Sequence, residues 1–200
     1  MKIVVARYNE DVAWTKQFSN VIIYNKGNNL DDYNNVITLN NVGREGHTFY
    51  KYIFDNYDNL DDYTIFLQGH PFDHCNDIID LLTKYTNDEN FNSEFELIGK
   101  KLLITNLSGC SWHPGLPLIE VYEKLFGEKK EKMELHFKPG GQFIVSKKLI
   151  LSKPRLFYFE IVNLLNYDVN PIEGYIIERF HKLIFNEPII NKLTILKYKF

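Results

Sequence analysis

A chain of 200 residues is long enough for one sizeable domain with a buried core, and 44% hydrophobic residues, with 15 Phe and 13 Tyr, point to packing rather than disorder. A net charge of -3 with mixed signs excludes the strongly basic surface of a groove binder of nucleic acid. The two cysteines, Cys75 and Cys110, lack Cys-x-x-Cys spacing, so neither a disulfide framework nor a zinc knuckle is indicated and a reducing, cytoplasmic setting is expected.

In chain order, Lys2 to Ala6 is a continuous β-branched run that reads as a strand buried on both faces. This apolar stretch is too short for a signal-peptide core, and no later run approaches the roughly 18 apolar residues of a membrane helix, so a soluble protein is expected. A polar turn, Arg7-Tyr8-Asn9-Glu10, follows the strand, and Asp11 to Phe18 suggests a short helix capped by Asn9 or Asp11. Val21 to Tyr24 and Val36 to Leu39 read as strands. Arg44 to Tyr57 spaces Phe49, Tyr52, Ile53 and Tyr57 as a helix does. Tyr63 to Leu67 predicts a fourth strand, and Ile78 to Tyr85 a helix.

Strands alternating with helices argue for βαβ crossovers: an α/β fold, Rossmann-like, with a mainly parallel central sheet flanked by helices. The second half is less regular. Phe95 to Asn106 reads as one or two strands broken at Gly99, Leu116 to Phe126 as a helix, Glu128 to Glu134 as a solvated charged stretch, and Gly141 to Val145 as a strand. Two helices opened by proline, Pro154 to Leu165 and Pro171 to Phe185, make the C-terminal part helical.

Open α/β sheets bind ligands beyond the carboxyl ends of their strands. Three polar clusters fall there: Arg7 to Glu10, Asn41 to Thr48, and Gln68 to His74. In the second, Gly43 and Gly46 allow close backbone approach, a helix N-terminus offers N–H groups, and Arg44 adds a fork of donors suited to phosphate; alternatively the glycines shape a turn and Arg44 pairs with Glu45 or Asp55. In the third, His70, Asp73 and His74 suit a divalent metal, or Asp73 suits a general base beside a histidine, or Asp73 caps the next helix while the histidines face solvent. If Pro71 opens a helix, His70 and His74 share one side of it. Trp112, in a loop that also holds Cys110, reads as a stacking surface or a packing anchor, and Gln142 as a hydroxyl-binding amide or part of an ordinary turn. Glu178, flanked by Ile176, Ile177 and Phe180, is expected to be partly buried with a raised pKa or paired with Arg179 or His181.

The blocks VVARYNEDVAW, IYNKG, NVGREGHT, DNYDNL, TIFLQGHPFDH, GGQFIVSKKLILSKPRLFYFEIV and EGYIIERFHKLIF run in the order found in a family of uncharacterised proteins that this chain resembles over nearly its whole length. That family in turn is similar to small glycosyltransferases of the GT-A fold. The resemblance implies one domain over 1–200, with a nucleotide-sugar-binding half (1–90) and an acceptor half (91–200). It implies transfer of a sugar from a UDP- or GDP-linked donor to a glycan or protein hydroxyl. Arg7, Asn9, Glu10 and Gln68 would lie near the nucleotide, Gly43, Arg44 and His47 near the diphosphate or donor sugar, and Gln142, Trp112 and Glu178 toward the acceptor.

GT-A enzymes commonly hold Mn2+ or Mg2+ with an Asp-x-Asp motif after the fourth strand, where this chain has QGHPFDH. Either His70, Asp73 and His74 replace the motif, or Arg44 and backbone donors stabilise the leaving group without a metal. Two other functions fit the same residues. One is a metal-dependent hydrolase built on His70, Asp73 and His74, and the other a carbohydrate-binding domain without turnover.

Overall fold

The computed structural model describes residues 1–109 and 111–188, so Cys110 lies outside the described residues. The chain forms a mixed α/β fold on a six-stranded sheet of order β3-β2-β1-β4-β8-β5. Its members are β1 (Lys2–Arg7), β2 (Val21–Asn25), β3 (Val36–Thr38), β4 (Tyr63–Gln68), β5 (Phe95–Ile98) and β8 (Gln142–Ser146). Strands β3, β2, β1 and β4 pair in parallel, while β8 is antiparallel to both β4 and β5. A separate ribbon pairs β6 (Leu103–Asn106) with β7 (Glu134–Phe137). The helices are α1 (Arg44–Asp55), α2 (Ile78–Asn87), α3 (Leu118–Phe126), α4 (Lys147–Leu151), α5 (Arg155–Leu165) and α6 (Ile172–Asn186). Among the described residues no helix is long and apolar enough to cross a membrane.

The pleat sorts side chains onto two cores. Val4, Ala6, Tyr24, Phe66, Phe143 and Val145 face a cluster built with α1, α3, α5 and α6, whereas Ile3, Val5, Ile23, Ile65, Leu67 and Ile144 face one built with Val12 and α2. Both faces are covered, which is why β1 and β4 read as unbroken apolar runs. Phe143 lies at the centre of the larger core, its ring 4.7 to 5.9 Å from those of Phe49, Phe66, Phe95, His181 and Phe185. Since β8 comes from the second half of the sequence and pairs with β4 from the first, the two halves share this sheet.

Three local expectations change. The helix expected over Asp11 to Phe18 is a 3-10 turn, Ala13–Gln17, entered where Asp11 Oδ1 accepts the Ala13 N–H at 2.8 Å. The charged stretch ends in a strand, since Leu135 and Phe137 of β7 alternate inward. A short helix, α4, follows β8 directly, because Ser146 Oγ accepts the Leu149 N–H at 3.1 Å and caps it.

Strand order places the site. The chain runs outward from β1 to β2 and β3, then returns through α1 to β4 on the other side of β1. The direction of winding therefore reverses between β1 and β4, and such a reversal opens a crevice at the carboxyl edge. The loop after β1 meets the loop after β2 closely there: a Cβ on Gly27 would lie 1.7 Å from the Tyr8 carbonyl oxygen and 2.3 Å from Asn9 Oδ1. Because the obstacle is backbone, Gly27→Ala is expected to push the two loops apart at a cost of about 1–3 kcal/mol. Urea unfolding would show this as a lowered midpoint, and an unchanged midpoint would contradict the fit.

Candidate functional site at the carboxyl edge of the sheet

A cleft of about 590 Å³ opens at this reversal, within the range of small-molecule sites. Arg7, Tyr8 and Glu10 enter it from the end of β1, Lys26 from β2, Arg44 and Glu45 from the first turn of α1, and Gln68, His70 and Asp73 from the exit of β4. Val169 and Asn170, between α5 and α6, close the remaining side. Of the residues singled out in the sequence, Arg7, Glu10, Arg44, Gln68, His70 and Asp73 meet here. Lys26 and Glu45 join them without standing out in the sequence as site residues, although Lys26 sits one position past a strand end, as the other clusters do.

Arg7 is a clamp. It is buried, its Nε donates to the Glu10 carbonyl at 2.9 Å, and its Nη1 donates to Asn25 Oδ1 at 2.6 Å and to the Asn28 carbonyl at 2.8 Å. Asn9 serves the same junction from outside the cleft, accepting the Asn28 N–H on Oδ1. Glu10 Oε2 accepts the Tyr8 N–H at 2.6 Å, which closes the turn.

The start of α1 differs from a free anion cradle. Gly43, at φ +65°, is its N-cap, and a Cβ there would lie 2.5 Å from His47 Cβ and 2.7 Å from the Leu165 carbonyl. The Gly43 N–H donates to the Asp168 carbonyl at 2.8 Å and the Arg44 N–H to that of Val169 at 3.3 Å, so two leading amides dock the α5–α6 loop. Gly43 lets these segments approach and does not line the cleft.

Arg44 does line it, at φ +51°. Among the described residues it is the non-glycine with a left-handed φ, a conformation that costs on the order of 1 kcal/mol and tends to mark functional positions. Its guanidinium lies 4.5 Å from the Tyr175 ring centroid and its Nε 3.7 Å from Glu45 Oε2, the pairing expected of the turn reading. Lys26 spans the same corner, its ammonium donating to the carbonyls of Val42 and Arg44. Burial lowers its pKa to about 8 against the opposing pull of Glu45.

His47 is a core residue. One turn into α1, it shares the inward face with Tyr50, and burial, with Lys26 and Lys51 adding repulsion, lowers its pKa to about 4. The ring is packed into the core and does not line the cleft.

The QGHPFDH segment forms a 3-10 turn, Pro71–Asp73, too short to bring His70 and His74 to one side. His70 Nε2 lies 3.5 Å from Asp73 Oδ1, both largely exposed, at 51% and 76% for their side chains. The His74 ring is instead packed against the opposite loop, where a Cβ on Gly140 would fall 2.4 Å from its Cδ2. A metal held by His70, Asp73 and His74 does not fit this arrangement. Among the described residues no group of three His, Cys, Asp or Glu side chains is placed to hold an ion. The turn itself is well braced: Trp14 Nε1 donates to the Gly69 carbonyl at 2.9 Å, and Phe72 packs edge-on to Trp14 and to His70.

Gln142 belongs to that bracing. Antiparallel pairing of β8 brings it beside the end of β4, fully buried, where its Oε1 accepts the Gln68 N–H at 3.3 Å and its Nε2 reaches the Pro71 carbonyl at 3.5 Å. It braces the β4 exit and does not line the cleft. Trp112 is 65% exposed and outside the cleft lining. Its neighbour His113 stacks on Tyr175 at 4.4 Å and meets Arg179 Nη2 at 3.0 Å, continuing the column that begins with Arg44.

Glu178 lies behind the cleft on α6, its Oε1 accepting the Gly140 N–H at 2.8 Å and its Oε2 3.7 Å from Arg179 Nη1. Burial first, and then the charge of Glu45, push its carboxyl above the ordinary value of 4.5. Cys75 is buried and its thiol is pushed up to about 11, mainly by burial, which makes it inert.

A comparison with curated proteins and with solved structures finds no match. A protein-family profile matches residues 3–118, more than half of the chain, and spans every cleft residue named above except Val169 and Asn170. The chain therefore belongs to the DUF3431 family, described as proteins of unknown function.

Proposed function

We propose that the protein transfers a sugar from a nucleotide sugar, UDP- or GDP-linked, to a hydroxyl of a glycan or protein, on a GT-A-like fold. The observation that carries this reading is the juxtaposition, in one switch-point cleft, of a cationic corner made by Arg44 and Lys26 with an exposed Asp73–His70 pair. Departure of a nucleoside diphosphate leaves negative charge that the cationic corner offsets. Nucleophilic attack by an acceptor hydroxyl requires removal of its proton, and Asp73 presents a carboxylate to the open cleft for that task, with His70 orienting it.

Both charged partners come from this chain's own residues, and no step is assigned to an ion, since among the described residues no three His, Cys, Asp or Glu side chains are placed to hold one. The same separation of His74 removes the ligand set on which a hydrolase reading would rest.

A thermal-shift screen of nucleotide sugars tests the proposal, because a ligand that binds only the native state raises Tm by mass action. A UDP- or GDP-sugar should raise Tm. Arg44→Met should weaken that binding by about 10- to 100-fold, the worth of one charge-assisted contact of about 1.5–3 kcal/mol. No shift with any nucleotide sugar at millimolar concentration, with or without Mn2+ or Mg2+, would sink the reading. Binding without release of free nucleotide in the presence of acceptors would assign a carbohydrate-recognition module instead.

A further inference from the structure

We propose that binding of a diphosphate at Arg44 is coupled to uptake of a proton by Glu178, which faces Glu45 at the back of the cleft. The identity of the anion rests on the nucleotide-sugar reading above; the coupling rests on the geometry of the pair.

The two carboxylates come from different helices and converge on Gly141. A Cβ built there would lie 3.6 Å from Glu45 Oε1, 3.6 Å from Glu178 Cγ and 3.1 Å from His181 Nε2. Their side chains are only 13% and 14% exposed. Two ionised carboxylates so placed repel each other with little water to screen them, and a proton on Glu178 relieves the repulsion. The raised pKa of Glu178 runs in the same direction.

The groups facing the pair define what sets its charge. Arg44 and Lys26 approach from the cleft side, and Arg179 and His181 from α6. His181 is held neutral by burial and bonds Tyr50 Oη through Nδ1 at 2.7 Å. Arg179 serves the Tyr175 carbonyl and His113 as well as Glu178. Lys26 has its ammonium tied to two carbonyls. Arg44 therefore links the pair to the cleft: it lines the cavity and lies 3.7 Å from Glu45, without a tight hydrogen bond to hold it there.

An incoming diphosphate takes over the guanidinium. Glu45 then loses its counter-charge while Glu178 stays close behind it, and Glu178 binds a proton. By reciprocity, anion binding weakens as pH rises between the titration of Glu178 in the free protein and its titration in the complex, about tenfold per pH unit for one proton.

The test is calorimetric titration with inorganic pyrophosphate near neutral pH, in buffers of different ionisation enthalpy, on the wild type, Glu45→Gln and Glu178→Gln. The wild type should take up about one proton more than either variant, because the ligand's own protonation is common to all three and cancels. Glu45→Gln, having lost the competitor for Arg44, should also bind pyrophosphate severalfold more tightly. Equal uptake in all three proteins, or no binding of pyrophosphate, overturns the proposal. Should Glu178→Gln fail to fold, Glu45→Gln, at the edge of the cleft, carries the comparison alone. The two proposals separate cleanly: nucleotide-sugar binding with no difference in uptake overturns the coupling only, whereas the uptake difference in a protein that binds no nucleotide sugar supports the coupling and overturns the glycosyltransferase reading.

Discussion

Asp73→Asn is expected to lower glycosyl transfer by about 10²- to 10⁴-fold, the usual contribution of a general base, while donor binding stays nearly intact. The substitution suits the test because the site separates chemistry from stability. Asp73 is 76% exposed on a three-residue turn, and its side chain touches His70 at 3.5 Å. Asn keeps its shape and loses only the basic oxygen, and exposed substitutions of this kind usually change stability by less than about 0.5 kcal/mol. The turn is held by groups that the substitution leaves alone, namely Trp14 on the Gly69 carbonyl and Gln142 on the Pro71 carbonyl. A fall in kcat with unchanged Tm and unchanged thermal shift by donor would therefore report the chemical step. Turnover within a few-fold of wild type would remove Asp73 as the base and leave Glu10 and Glu45, the other carboxylates that line the cleft, as the groups to examine.

The contrast between Asp73 and His74 shows what the sequence could and could not specify. The apolar runs of β1 and β4 were legible because both faces of the sheet are covered, and so was the convergence of polar loops at their carboxyl ends. Which side chains enter the cleft depends on local helical pitch. An α-turn after Pro71 would have put His70 and His74 on one side; the observed 3-10 turn ends at Asp73 and sends His74 to Gly140. Periodicity does not distinguish one turn of either helix. His47 fails for a related reason: it follows a phosphate-like turn, yet it lies three residues before Tyr50 on a helix whose inward face packs against α5 and α6, so tertiary packing claims it. Lys26 and Glu45 were hidden by plainness, one in an Asn-rich turn and the other beside a more conspicuous arginine. Their importance appears only when β2 and α1 are set next to each other. The strand β7 was hidden because its two inward residues, Leu135 and Phe137, end a stretch dominated by charge.

The buried histidines carry a second large expectation, for stability in acid. His181 and His47 are held neutral in the fold, with pKa values lowered to about 3 and about 4 from an ordinary 6.5, burial being the main cause in each and Lys26 and Lys51 adding repulsion at His47. Well above pH 6.5 neither state binds these protons, and stability does not depend on them. As pH falls below 6.5 the unfolded chain protonates both imidazoles while the folded chain does not, so the unfolded state binds more protons and stability is lost. The loss continues until pH reaches the folded values. Each histidine contributes about 1.4 kcal/mol per pH unit in that window. Over about two units the pair would remove up to about 5 kcal/mol, comparable with the whole stability of an ordinary domain. Glu178 acts in the opposite sense, since its raised pKa lets the folded state bind a proton that the unfolded state still releases at the same pH, and it offsets part of the loss. Urea unfolding at pH 7.5, 6.5, 5.5 and 5.0 should show a small loss of stability, about 0.8 kcal/mol, between the first two values and a steep fall at the others. His181→Phe keeps a ring among Phe49, Phe143 and Tyr50 and should reduce the slope by about one proton, even if the lost bond to Tyr50 lowers stability at neutral pH. A wild-type stability that stays level from pH 6.5 to 5.0 would mean that these imidazoles accept protons without unfolding, and that the core around β8 admits charge that its burial argues against.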